Sequence, residues 1–158
     1  MLFILFPDTR GSKPPLYLIY MNNHSDAGYE EIEHTADWQL NVWAPTLEGL
    51  FIQAAQGMYS LAHIRHDETK QIEKQLNLQE ADHEILLVSF LTELLYFASA
   101  ENLAFEVDEI QLRDTQLSAR LVGGQITRHD KEIKAVTYHA LDIARLDDLY
   151  RVSIVFDV

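Results

Sequence analysis

Three oxygen-bearing groups at distant places in the chain have the chemistry of a metal site. Asp37 follows His34-Thr35-Ala36, at the boundary between two stretches with strand character. Asp157 and Val158 close the sequence, and Val158 carries a terminal carboxylate, an anion at neutral pH. Trp38, Leu40 and Val42 alternate with Asp37, Gln39 and Asn41, so Asp37 points away from the apolar face. Tyr150, Val152, Ile154 and Phe156 share one face of the last segment, and Asp157 again faces the other way. Packing up to Phe156 is expected to hold an end of the chain that would ordinarily fray. Anions held side by side repel, and a cation offsets the repulsion. If the fold brings Asp37 to Asp157, three carboxylates converge. Oxygen-only ligation favours hard cations, so the expected cofactor is a divalent ion, Ca²⁺, Mg²⁺ or Mn²⁺, in preference to zinc.

The remaining clusters suit plainer roles. His63 and His66 lie three apart at a predicted helix C-terminus, where imidazolium also suits the helix dipole. Asp147-Asp148 reads as a solvated turn between strands. Gly123-Gly124 does not lead a strand into a helix and makes a poor phosphate loop. No nucleophile-elbow pattern accompanies the serines. The chain has no cysteine, which excludes disulfides, thiolate zinc sites, iron–sulfur ligation and thiol catalysis. That composition fits a reducing cytosol, and a cytoplasmic location is expected.

Twenty-five acidic residues against 12 basic ones leave a formal charge of −13. Nucleic-acid affinity comes mainly from Lys and Arg displacing counterions, so no direct RNA or DNA binding is expected. Cations and basic protein surfaces are the natural partners of so anionic a chain. Its 158 residues, 47% of them apolar, suffice for one domain with a real core. Leu2 to Phe6 is far too short to span a bilayer, and Pro7, Asp8 and Arg10 follow at once, so neither a membrane span nor a secretory signal is expected. Residues 1–28 are read as an N-terminal tail, with Met21 an alternative start, and residues 29–158 as the domain.

Several patterned segments must position the acids. Strands are predicted at residues 29–35 and 37–43. Thr46 is a helix N-cap, and Leu47, Leu50, Phe51, Ala54, Ala55, Met58 and Ala62 recur at helical spacing over 47–63. A weaker strand covers 70–78. A second helix follows Asp82 and closes at Glu101-Asn102. Phe105 to Leu112 changes parity in mid-strand, which predicts a bulge near Asp108-Glu109. Leu117 to Leu121 alternates up to Gly123-Gly124, which is expected to end the strand. Two further strands, 135–143 and 150–156, are expected to pair across 146–149. The predicted class is α+β, a two-layer, largely antiparallel sheet with two helices packed on one face.

Taken together, certain segments resemble the archease family. They are His34-Thr35-Ala36-Asp37, Thr46-Leu47-Glu48, Leu94-Leu95-Tyr96-Phe97, Glu101-Asn102-Leu103-Ala104-Phe105, Lys134-Ala135-Val136-Thr137-Tyr138-His139 and the closing Phe156-Asp157-Val158, in order over roughly 29–158. The resemblance implies an accessory protein, not an enzyme. Archeases assist the GTP-dependent tRNA-splicing RNA ligase, promoting its guanylylation and multiple turnover. It also implies a metal site on Asp37, Asp157 and Val158, with His34 and His139 as supporting neighbours. Two departures stand out. Trp38-Gln39 replaces the Ile-Gly that follows Asp37 in many relatives, and Ala98-Ser99-Ala100-Glu101 lacks one of the acids usual there.

Two other functions compete with an activator. A metal-dependent hydrolase or phosphatase would use the ion to activate water, with His34 or His139 as base. An RNA chaperone would need a basic surface, and the charge opposes it.

Overall fold

The computed structural model describes residues 26–33 and 37–158. His34, Thr35, Ala36 and the expected tail up to Ser25 lie outside the described residues. The chain runs β1 (Gly28–Glu33), β2 (Trp38–Ala44), α1 (Leu47–Leu61), β3 (Arg65–His66), β4 (Ile72–Gln79), α2 (His83–Ala100), β5 (Leu103–Arg113), β6 (Gln116–Arg128), β7 (Ala135–Val136), β8 (Ala144–Leu146) and β9 (Leu149–Asp157).

All strand pairs are antiparallel, and the class is the expected α+β. The strands divide between two sheets. One runs β1-β2-β9-β7, with β8 also pairing β9; the other runs β3-β6-β4, with β5 also on β6. Leu40, Val42 and Ala44 of β2 and Val152, Ile154 and Phe156 of β9 are buried on the core face. They join Phe51, Met58, Phe90, Leu91, Leu94 and Phe105 in one continuous core. Burying a side chain such as Phe156 contributes about 2–3 kcal/mol, so β9 is anchored almost to its last residue.

The helix ends follow the local chemistry. Thr46 Oγ1 accepts the Gly49 N–H at 3.0 Å, and Asp82 Oδ1 accepts the Ile85 N–H at 2.7 Å, each satisfying an otherwise unpaired donor. Glu101 caps α2 and also ion-pairs with Lys74, whose ammonium lies over the Phe97 ring. α2 is long and apolar enough to cross a membrane by length and composition, but Leu86, Leu87, Phe90, Leu91 and Leu94 are packed in the core.

The predicted bulge is present: the β5–β6 register shifts between Val107 and Glu109. Asp147 and Asp148 form the two-residue turn of the β8–β9 hairpin, both at positive φ (50° and 63°), as a primed turn requires. Two expectations are corrected. β6 does not stop at Gly123-Gly124 but runs on to Arg128. A Cβ on Gly123 would meet the Ala104 carbonyl oxygen at 1.9 Å, and one on Gly124 the Asp67 carbonyl oxygen at 2.3 Å. These glycines permit close backbone approach within a strand; they do not end it. Residues 135–143 are not one strand either. Only Ala135 and Val136 form β7, and the chain then leaves the ladder after Thr137 N–H donates to the Val155 carbonyl at 3.0 Å. The turn beyond it carries Ala140 at positive φ.

Gly123→Ala is expected to cost about 3 kcal/mol or more, because the obstructing atom is backbone. Urea unfolding checks this; a loss below about 1 kcal/mol would show that β5 and β6 separate easily.

Candidate metal centre at the sheet end

The β2–β9 register positions the first two acids. Trp38 opposes Phe156, Leu40 opposes Ile154 and Val42 opposes Val152. Continuing that register by one residue sets Asp37 opposite Asp157. Directly opposed residues of an antiparallel pair lie about 4.5–5.5 Å apart at Cα. Strand alternation turns both aspartates away from the core, and both are exposed. Asp157 is also opposite Ala135 on its other side, so it lies in the middle of the sheet end. Its carbonyl oxygen accepts the Lys134 N–H at 2.8 Å. Val158 is half-buried with its side chain packed on the core, so its terminal group is held in place.

Lysines border this end. Lys134 Nζ donates to the Val158 terminal oxygen at 2.9 Å. Lys131 Nζ lies 4.9 Å from the centre of the Trp38 ring, in cation–π range. Residue types alone did not single out either lysine. Lys134 opens the KAVTYH segment, but only the β7–β9 pairing brings it to Val158.

Of the expected site residues, Asp37, Asp157 and Val158 come to one end of one sheet. His34 lies outside the described residues. His139 is exposed in the turn after β7, where its backbone N–H donates to Thr137 Oγ1 at 3.4 Å; no hydrogen bond or ion pair joins it to the aspartates. Among the described residues, no three His, Asp or Glu side chains form a metal-binding group. The side-chain oxygen donors near this sheet end are those of Asp37 and Asp157, both exposed. Such oxygen-only donors suit a hard divalent ion. The His63/His66 pair is accounted for by protein partners. His63 Nδ1 lies 3.3 Å from Asp130 Oδ2, and His66 Nε2 lies 3.8 Å from Glu106 Oε1.

Two helices against antiparallel sheets define a small α+β protein. The model of the Archease protein family matches residues 29–158. Protein archease of Thermococcus gammatolerans is 33% identical over 129 residues, covering 76% of this chain and 90% of that protein. Protein archease of Pyrobaculum calidifontis is 30% identical over 147 residues, covering 87% of this chain and all of that protein. The crystal structure of a Thermotoga maritima archease, described as a possible chaperone, has the same fold with a TM-score of 0.60 at 24% identity; it covers 82% of this chain and 96% of that one. The chain belongs to the archease family.

Without divalent ions, Lys134→Ala is expected to lower stability by about 0.5 kcal/mol, the scale of a solvent-facing ion pair. Urea unfolding in a chelating buffer measures it. A loss above about 2 kcal/mol would mean that Lys134 is the main restraint on the β9 end.

Proposed function

We propose that this protein activates a GTP-dependent tRNA-splicing RNA ligase in the cytoplasm, promoting its guanylylation and repeated turnover. In this reading a divalent ion, Ca²⁺, Mg²⁺ or Mn²⁺, is held on Asp37, Asp157 and the Val158 carboxylate. The single observation that supports the metal part is the β2–β9 register, which pairs Trp38 with Phe156 and, continued by one residue, would set the exposed Asp37 opposite the exposed Asp157 beside Val158. Family membership carries the partner. The formal charge of −13 supports docking against a basic protein surface and opposes direct RNA binding.

The ion would neutralise an end of the sheet that otherwise concentrates anions. This chain's own residues hold it and orient it. The core packing of Phe156 and Val158 keeps the carboxylates from swinging apart, and Lys134 balances the terminus from the side. An activator of this kind works by binding one conformation of the ligase more tightly than another. The tip is the part of the molecule suited to that contact.

Reconstitution with the cognate ligase tests the proposal through guanylylation with and without this protein. Asp37→Ala and Asp157→Ala are expected to remove the stimulation while leaving the circular dichroism spectrum unchanged. Full stimulation by either folded variant would reject the proposal.

A further inference from the structure

A second concentration of chemistry lies in a cleft of about 550 Å³ that includes none of the tip residues. Its walls come from β1, α1, β3, β5 and β6. Arg65 and Arg128 are direct partners across the β3–β6 ladder, and both are exposed. Like charges placed opposite each other in a sheet repel. Arg128 is answered by Asp130, with Nε donating to Oδ2 at 2.8 Å. Arg65 has no ion-pair or side-chain hydrogen-bond partner among the described residues. The register shifts between Arg65 and His66, and both line the cleft. Bulges of this kind often re-aim side chains beside binding sites.

The cleft's carboxylates divide into two groups. Glu106 faces His66, and Asp130 beside the cleft holds Arg128 and His63. Glu31 and Glu68 also line the cleft and have no cation partner among the described residues. The two kinds of wall thus ask for different things. Arg128 already has Asp130 as its anion, through both Nε and Nη2, so Arg65 is the guanidinium left to take one, and its planar N–H fork suits a phosphate better than a point charge. The open carboxylates accept hydrogen bonds and have none to donate. An anion alone would satisfy Arg65 and be repelled by the glutamates. A hydroxylated molecule alone would leave the arginines opposed.

We propose that this cleft binds a small phosphomonoester of a hydroxylated skeleton, its phosphate on the Arg65 fork with the Asp130-held Arg128 beside it, and its hydroxyl hydrogens donated to Glu31 and Glu68. The site is independent of the metal centre and of the ligase reading. Its lining sets Arg65 and Arg128 among Glu31, Glu68 and Glu106 on a chain whose overall charge repels phosphates, so steering is weak and binding rests on contact geometry.

The full chain, titrated at low ionic strength with ribose 5-phosphate, inorganic phosphate and ribose in separate arms, tests the proposal by amide chemical shifts. Ribose 5-phosphate is expected to shift residues around 63–68 and 126–130, inorganic phosphate to bind at least tenfold more weakly, and ribose to give no shift at millimolar concentration. Arg65→Gln is expected to weaken ribose 5-phosphate binding at least tenfold without lowering the melting temperature, since it relieves the opposed charge. Glu31→Gln is expected to weaken ribose 5-phosphate but not inorganic phosphate. No shift at the cleft, equal binding of phosphate and ribose 5-phosphate, or binding untouched by Arg65→Gln would each overturn it. Should Arg65→Gln melt early, Arg65→Lys keeps the charge but not the fork, and undiminished binding there would also overturn it.

Discussion

The antiparallel pairing of β2 with β9 is the constraint on which the rest of the molecule depends. It joins Trp38–Ala44 to Tyr150–Phe156 across more than a hundred residues of chain. Forming it brings a large loop-closure cost, met by the burial of Leu40, Val42, Ile154 and Phe156 against α1 and the core. A slip of β9 by one residue would turn Ile154 and Phe156 outward and Asp157 inward. The register that stabilises the core is thus the same one that fixes the acids. Packing and chemistry cannot be separated at this end of the sheet.

Much of this was legible in the sequence, for reasons that particular residues make clear. The alternation in β2 and β9, the cap at Thr46, the helix that follows Asp82, and the parity change in β5 are local signals, and each corresponds to a feature of the fold. Gly123-Gly124 misled because a pair of glycines reads as punctuation; the neighbouring backbones of Ala104 and Asp67 that require them come from other elements. The run from Ala135 to Ile143 has strand-like composition, but β9 accepts only its first residues as partners. Lys134 drew attention only as part of a motif, since its partner on Val158 lies in another strand. The cleft was invisible for the same reason: five elements supply its walls, and no spacing rule connects them.

Electrostatics divides the surface into two regimes. The tip sets anions against anions, with Lys131 and Lys134 at its border. The cleft sets Arg65 opposite Arg128 within a lining that also carries Glu31, Glu68 and Glu106, with Asp130 relieving only one of the arginines. In both places the backbone register holds like charges together more closely than solvent alone would favour. Elsewhere opposite charges meet: Arg120 is held by Asp108 and Glu109, and Lys74 by Glu101.

The most direct test of the central claim is a crystal structure grown with Mn²⁺, with anomalous scattering locating the ion. The account predicts one strong peak between Asp37, Asp157 and the Val158 carboxylate, with metal–oxygen distances near 2.2 Å, as hard divalent ions adopt with carboxylates. A map showing the two aspartates on opposite sides of the sheet end, or the ion bound elsewhere with this tip empty, would contradict it.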